Sequence, residues 1–243
     1  MAEKRVVCIT GTDRGVGLAL AETLLHAGDT VYAGGLAEAG HHPEIQRLGE
    51  AHPGRLHPFR LDVGSDESVR LAAGYIRSRT DKLDLLINNA AILGDTSAAI
   101  EGAIDFDEVQ RVYNVTALGA IRMSNALIRP LMNGGRLIVN ISSEAGSIGQ
   151  NYRDAWFGYC MAKAALNMGS SLIHNRIRKD GGRVLLLHPG WVKTYMSGGW
   201  NDEGTYTPQE AAENILRRID ERGGDIREQP IYVEADTGRE LPW

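Results

Sequence analysis

Short, unbroken apolar runs alternate with amphipathic stretches along this chain, and few folds accept that rhythm. Residues 6–10, 30–33, 56–63, 83–88, 136–142 and 183–188 read as strands, with 231–233 as a last one. Their apolar residues run consecutively, as expected of strands covered on both faces. Between them the period lengthens to that of a helix. Val16, Leu20, Leu24 and Ala27 share one face of residues 15–27, which Gly28 stops, and Val69, Ala73 and Ile76 share a face of the segment that Ser65 caps, to about residue 79. Further helices are expected over 105–131 and 157–178. Thr207-Pro208-Gln209-Glu210 opens another, with a cap, a first-turn proline and a capping box. Strand–helix–strand order of this kind predicts an α/β fold: one doubly wound, about seven-stranded, mostly parallel sheet with helices on both faces.

The 243 residues suit a single domain, 1–243, and no linker, repeat or low-complexity tract divides them. A net charge of -5 without a basic stripe argues against nucleic acid or an anionic membrane as partner. Arg176, Arg178 and Lys179 cluster near a helix end, where complementing the helix dipole accounts for them. No apolar run approaches the ~20 residues of a membrane span. The run before Thr10 is shorter than the ~7 residues that a signal peptide's apolar region needs. Cys8 and Cys160 offer neither a disulfide framework nor metal spacing, and the seven histidines show no ligand spacing either. The cysteines read as reduced thiols of a cytoplasmic protein, with no metal site expected. His26, His52 and His188 read as surface or strand-end residues.

Thr10-Gly11-Thr12-Asp13-Arg14-Gly15-Val16-Gly17 falls where the first strand meets the first helix. Glycines there let the backbone approach a pyrophosphate, and the helix N-terminus adds N–H groups and a positive dipole. No Gly-Lys-Ser/Thr follows, so the turn is not a P-loop; it reads either as a dinucleotide cradle, with Gly11, Thr12, Arg14, Gly15, Val16 and Gly17 in contact, or as a plain structural turn. Asp62-Val63 closes the third strand, where Asp62 either accepts from an adenine amine or only shapes the turn before Ser65. The second strand ends Ala33-Gly34-Gly35-Leu36, without the acid that would hold ribose hydroxyls and favour NAD. Arg14 is the obvious cation nearby, which favours the 2′-phosphate of NADP over NAD.

Tyr159 and Lys163 are four residues apart on one helix face. An ammonium beside a phenol lowers the phenol's pKa and makes it a usable proton donor toward a carbonyl oxygen. Alone, such a pair is ordinary helix surface. Its company makes it informative: Asn140-Ile141-Ser142-Ser143 ends the fifth strand, Asn88-Asn89-Ala90-Ala91 ends the fourth, and Asn114 sits mid-helix, where asparagine is unfavourable. His188-Pro189-Gly190-Trp191-Val192-Lys193-Thr194 follows the sixth strand, and Thr194 offers a hydroxyl to a carboxamide. Ser143 sits where its hydroxyl can donate to a developing oxyanion. Residues 195–206 combine Gly198, Gly199 and Gly204 with Met196 and Trp200, a composition suited to a substrate lid. Trp156, Phe157, Trp191 and Trp200, with Met196, are expected to form an apolar pocket for a small uncharged ketone, aldehyde or alcohol.

As a set, these residues resemble the short-chain dehydrogenases/reductases. Residues 10–17 are similar to that family's glycine motif and Asn88–Ala90 to its Asn-Asn-Ala segment. Ser143, Tyr159 and Lys163 match its catalytic triad, Asn114 the fourth member of its tetrad, and Pro189, Gly190 and Thr194 its nicotinamide-side segment. The stretch from His188 to Val192 and the ending Gly238-Arg239-Glu240-Leu241-Pro242-Trp243 look like the C-factor/sniffer-type carbonyl reductases.

The resemblance implies a Rossmann-type domain, with cofactor binding over about 1–140 and catalysis and substrate binding over about 141–243. It implies carbonyl–alcohol interconversion by hydride transfer with NADP or NAD. Tyr159 would then protonate the carbonyl oxygen and Ser143 hold it. Lys163 would bind the nicotinamide ribose and depress the phenol's pKa, and Asn114 would hold a relay water. Asn89, Ala90, Val192 and Thr194 would line the cofactor. A homodimer or homotetramer through helices 105–131 and 157–178 follows from the same resemblance. A nucleotide-sensing protein on this fold is the competing reading, against which the intact Ser143, Asn114, Tyr159 and Lys163 argue. Ala91 in place of a glycine, and a long 144–157 segment between Ser143 and Tyr159, depart from the family pattern.

Overall fold

In the computed structural model, which describes residues 4–37 and 42–243, the first strand β1 (Val6–Thr10) is buried along all but its first residue. It lies between β2 (Thr30–Gly35) and β4 (Leu85–Asn88). Strand β3 (Leu56–Arg60) pairs outside β2, and β5 (Leu137–Ile141), β6 (Arg183–His188) and β7 (Ile231–Glu234) continue beyond β4. Every neighbouring pair is parallel, so the sheet is wholly rather than mostly parallel. All strands thus deliver their C-terminal ends to one edge. The strand order reverses between β1 and β4, and the crevice outside those ends is where open α/β sheets take ligands. Residues 1–3, which bear on any targeting signal, lie outside the described residues.

Alternate strand residues feed two cores. Val7, Ile9, Leu85 and Ile87 face α1 (Gly15–Ala27) and α7 (Pro208–Arg222), against Leu20, Leu24, Ile215 and Ile219. Cys8 and Leu86 face the opposite layer, built from α3 (Asp66–Arg77), α5 (Gly119–Asn133) and α6 (Phe157–Ile177), against Val69, Ile76, Met123, Leu127 and Ile177. The caps read from the sequence are present: Ser65 accepts from the Ser68 N–H, and Thr207 and Glu210 form a reciprocal capping box.

Three elements differ from the sequence expectations. Helix α2 (Pro43–Ala51) was not foreseen; it buries only Ile45 and Leu48, too short a stripe to announce itself. Strand β3 stops at Arg60, because Asp62 Oδ1 turns back to accept from the Gly64 N–H at 2.8 Å. The long helix over 105–131 is two helices, α4 (Phe106–Tyr113) and α5, joined by a π-helical turn, Asn114–Leu118. Single π turns inside helices often mark functional positions. Among the described residues no helix is long and apolar enough to cross a membrane.

Candidate active site

The glycine turn closes onto the ends of β2 and β4. Gly11 and Thr12 donate their N–H groups to Gly34 O at 2.8 and 3.1 Å. Thr10 Oγ1 accepts from the N–H groups of Asn89 and Ala90, each at 3.0 Å, and Asn89 Nδ2 donates to Thr10 O and Gly11 O. Gly11 and Gly15 have φ of 73° and 59°. A Cβ at Gly17 would stand 2.0 Å from Gly11 O. Helix α1 begins without a side-chain cap and without an acidic residue in its first turn, so its first N–H groups remain available to an anion. An uncapped positive helix end behind a cradle that side chains cannot enter fits a dinucleotide pyrophosphate.

Asp13 was missed in the sequence. Its carboxylate reaches over the end of β2 and accepts from the N–H groups of Leu36 and Ala37, each at 2.9 Å. The acid absent from the strand is thus supplied by the turn, but is spent on backbone. Arg14 leans the other way, with its guanidinium 5.6 Å from the centre of the Tyr195 ring.

At the ends of β5 and β6 a cavity of about 810 Å³ opens. Ser143 is the extended residue leading into a 3₁₀ turn, Glu144–Gly146, and Tyr159 and Lys163 lie one turn apart on the buried face of α6. Lys163 is only 2% exposed and donates Nζ to Ile141 O at 2.7 Å, with Nζ 5.4 Å from the Tyr159 ring centre. Burial lowers the Lys163 pKa to about 7. Burial raises that of Tyr159, and the Glu144 carboxylate raises it further, while Ser143 and Arg153 pull it back. Without cofactor, both members of the pair are therefore pushed toward neutrality. The expected depression of the phenol is not found, because the cost of burying a phenolate outweighs the pull of Ser143 and Arg153.

A second charged group completes the site. Ser143 Oγ donates to Glu144 Oε2 at 2.7 Å, and Glu144 Oε1 is paired with the Arg153 guanidinium. That guanidinium lies 4.7 Å from the Tyr152 ring centre and 5.0 Å from that of Trp156. Of the two readings for His188 the strand-end one holds: it is the half-buried last residue of β6, with Nδ1 3.2 Å from Glu144 Oε2 though without hydrogen-bond geometry. Burial lowers the His188 pKa against the pull of Glu144. For Glu144 itself burial works upward, but His188, Ser143 and Arg153 together hold the carboxyl below its ordinary range. Behind Ser143, Tyr232 donates its hydroxyl to Ser143 O at 2.5 Å, and Ser142 donates to Asn167 Oδ1 at 2.6 Å.

Comparison with known proteins identifies the family. Residues 5–204 match the model described as short chain dehydrogenase. The chain is a short-chain dehydrogenase. It is 32% identical over 216 residues to 1-hydroxy-2-glutathionyl-2-methyl-3-butene dehydrogenase of Rhodococcus sp. (strain AD45), covering 88% of this chain and 90% of that one. The NADPH-bound carbonyl reductase from chicken fatty liver superposes with a TM-score of 0.84 at 29% identity, over 100% of this chain and 96% of that one. Carbonyl reductase Sniffer of D. melanogaster shares the fold with a TM-score of 0.89 at 23% identity, over 99% and 100% of the two chains. The short-chain dehydrogenase is accordingly an NAD(P)-dependent oxidoreductase acting on the CH–OH/C=O couple.

Of the residues read from the sequence, Ser143, Tyr159 and Lys163 line one cavity with Val16, Asn89, Pro189, Gly190, Val192 and Thr194. Trp156, Trp191 and Met196 line it too. Phe157 does not: it faces a separate small cavity with Asp105, Val109 and Val112. Trp200 is also outside the lining; its ring centre is 5.2 Å from that of Tyr195 and its Nε1 donates to Asp202 at 2.5 Å. Gly11, Thr12, Arg14, Gly15, Gly17, Asp62, Val63 and Ala90 are outside the lining as well, at or just past the ends of β1, β3 and β4. Asn114 caps nothing toward Lys163. Its Nδ2 donates to Gly64 O at 2.9 Å, and its side-chain and backbone oxygens accept from Arg122 at 2.7 and 3.1 Å.

The loop after β6 is stapled at its base. Lys193 N–H donates to Tyr206 O and Tyr206 N–H to Trp191 O, and beyond that staple Met196, Ser197, Asn201 and Glu203 face the cavity.

The Lys163 shift carries a stability prediction for the cofactor-free protein. Between pH 10.5 and about 7 the unfolded chain holds a proton on Lys163 that the folded chain gives up, so stability rises with pH across that window. Above pH 9 Cys8 opposes the rise, since burial raises its pKa from 9.0 to about 12. Thermal melts taken from pH 7 to 9 should therefore show Tm climbing, and Lys163→Met should flatten the climb. An unchanged slope in the variant would place the titration elsewhere.

Proposed function

We propose that this short-chain dehydrogenase reduces small uncharged ketones or aldehydes, with NADPH preferred to NADH. The observation that carries the reading is a buried Tyr159, its pKa raised by that burial, facing a cavity of about 810 Å³ walled by Trp156, Trp191 and Met196. A volume in this range suits a small ligand. The charges of Glu144 and Arg153 in the wall cancel each other, which leaves the pocket suited to a neutral substrate.

The nicotinamide supplies the hydride when bound. In the reductive direction Tyr159 gives its phenolic proton to the carbonyl oxygen, and a C–H and an O–H bond replace the C=O π bond. Lys163, anchored on Ile141 O, keeps two further N–H donors for the ribose side and restores charge balance beside the phenolate. Ser143 fixes the phenol and the substrate oxygen relative to each other. Asn114 acts by position: it ties the π turn to Gly64 and Arg122, and that turn packs against α6. Residues 195–206 act as the lid, hinged on Gly198 and Gly199, where an added Cβ would meet nothing within 4 Å.

The chain works as one domain, supported by the single sheet from β3 to β7. It is cytoplasmic, supported by its two free cysteines. It is a homodimer or homotetramer through α5 and α6, supported by exposed Met161, Met168 and Leu172 along α6.

The experiment is NADPH and NADH oxidation against a panel of ketones, aldehydes and quinones. No turnover with any carbonyl would overturn the reading. The cofactor preference has its own test: Arg14→Ala should weaken NADPH binding about tenfold or more, the worth of one charge-assisted hydrogen bond, and leave NADH binding nearly as it was. Equal losses for both cofactors in a fluorescence titration would remove Arg14 from 2′-phosphate recognition.

A further inference from the structure

Helix α6 turns a polar stripe toward the sheet. Tyr159, Lys163, Asn167 and Ser170 follow one another at spacings of four, four and three, which is one helix face. All four are buried. Three of them engage three consecutive residues at the end of β5 and just past it. Lys163 donates to Ile141 O at 2.7 Å, Asn167 accepts from Ser142 Oγ at 2.6 Å, and Ser170 Oγ accepts from Asn140 Nδ2 at 2.7 Å. Asn167 Nδ2 also donates to Gly146 O at 3.2 Å, and an added Cβ at Gly146 would lie 2.8 Å from the Lys163 backbone. Asn167 therefore grips the chain on both sides of Ser143, one residue before it and three after. Buried polar groups cost free energy unless they are paired, and a fully paired set fixes one arrangement where apolar contacts would tolerate sliding.

A further hold comes from β7. The buried Tyr232 donates its hydroxyl to Ser143 O at 2.5 Å. That carbonyl already accepts from the Gly146 N–H at 2.9 Å, so the hydroxyl is not needed to satisfy it. Trp243 braces the Tyr232 ring, with ring centres 5.5 Å apart, and Trp243 O accepts from the Gly149 N–H at 3.0 Å. We propose that Tyr232 and Asn167 are positioning residues: by gripping the Ser143 backbone and the residues on either side of it, they set where the Ser143 hydroxyl stands relative to Tyr159 and Lys163. This rests on Ser143 holding the substrate oxygen in the proposed function. It adds two residues that lie outside the family's tetrad.

Ser143 is the member of the catalytic group that needs such ties. Tyr159 and Lys163 sit on one 21-residue helix, which keeps them in register with each other. Ser143 instead leads into a 3₁₀ turn and an irregular segment, in which Ile148 and Tyr152 are each 81% exposed, so little packing steadies that segment from outside. Position matters steeply here, since a ~1 Å misplacement of a catalytic group can cost about 10²-fold in rate.

Tyr232→Phe removes one hydroxyl and leaves Ser143 O its bond from Gly146, so the fold should survive it. It should lower kcat for carbonyl reduction about ten- to a hundredfold, with KM, NADPH binding and Tm close to wild type. Ser142→Ala cuts one tie to Asn167 without touching Ser143 and should act in the same direction. Ser143→Ala supplies the decisive background: residues that act through Ser143 cost nothing further once its hydroxyl is gone. Equal fold-losses with and without that hydroxyl, or an unchanged kcat in Tyr232→Phe, would overturn the proposal. A role in folding alone would lower Tm and NADPH affinity together with kcat, and that result would overturn it too. A crystal structure of Tyr232→Phe reads the displacement without turnover: Ser143 Oγ should move relative to Tyr159 and Lys163 while those two stay in place. If the wild type reduces no carbonyl yet Ser143 moves in the variant, the proposed function fails and the positioning stands. If carbonyls are reduced and Ser143 does not move, the positioning fails alone.

Discussion

Tyr159→Phe is expected to lower the rate of carbonyl reduction about 10²–10⁴-fold, the usual contribution of a positioned general acid, and to leave NADPH binding nearly unchanged. The phenylalanine ring can keep the edge contact with Trp156, whose ring centre lies 6.2 Å away, so the cavity wall should survive. What disappears is the one hydroxyl in the cavity that burial and Glu144 hold protonated. Stopped-flow reduction measured alongside cofactor fluorescence separates the two effects. Undiminished turnover would remove Tyr159 from proton transfer. A cellular role that persists without turnover would favour the nucleotide-sensing alternative.

Features confined to one turn or one helix were legible in the sequence. The glycine turn and the Tyr159–Lys163 spacing carry their geometry with them, because a strand–turn–helix junction and an i, i+4 pair fix positions locally. The Glu144–Arg153–His188 group was not legible. Its members come from a 3₁₀ turn, an irregular loop and a strand end, and only the parallel pairing of β5 with β6 brings them together. The aromatic pocket was half legible for a related reason. Trp156 and Phe157 are neighbours, but Trp156 takes a left-handed conformation, φ 65°, just before α6 begins, and the two rings face different cavities. A left-handed tryptophan is strained, and strain of this kind persists only where its surroundings impose it. Here the Arg153 guanidinium and the Tyr159 ring hold the indole in the cavity wall. Trp200 was drawn away by partners two to five residues off, Asp202 and Tyr195, which composition alone does not rank above a distant pocket. The π turn that begins at Asn114 leads into Gly119, where an added Cβ would lie 2.7 Å from the Val63 side chain in the segment past β3, so the helix there packs against that segment more closely than a side chain allows.

The glycine turn offers the second large effect, because its glycines differ in why they are glycine. Gly17→Ala should abolish NADPH binding and lower Tm by several degrees. Its methyl would lie 2.0 Å from Gly11 O and 2.6 Å from Asn89 Nδ2. Neither can retreat freely: Gly11 is tied to Gly34 through its N–H, and Asn89 Nδ2 is the donor that joins β4 to the turn. Overpacking against fixed backbone costs roughly 1–3 kcal/mol or more, and the displaced atoms are those that shape the cradle. Gly15→Ala is the contrasting control. The nearest atom to its added methyl is Thr194 Cγ2 at 3.4 Å, an ordinary contact, so its cost is the positive φ of 59°, about 1–2 kcal/mol for an L residue. Gly15→Ala should therefore lose stability while keeping measurable cofactor affinity, whereas Gly17→Ala loses both. Paired melts and NADPH titrations check this. A Gly17→Ala protein that binds NADPH like the wild type would mean that the cradle does not form where β1 meets α1.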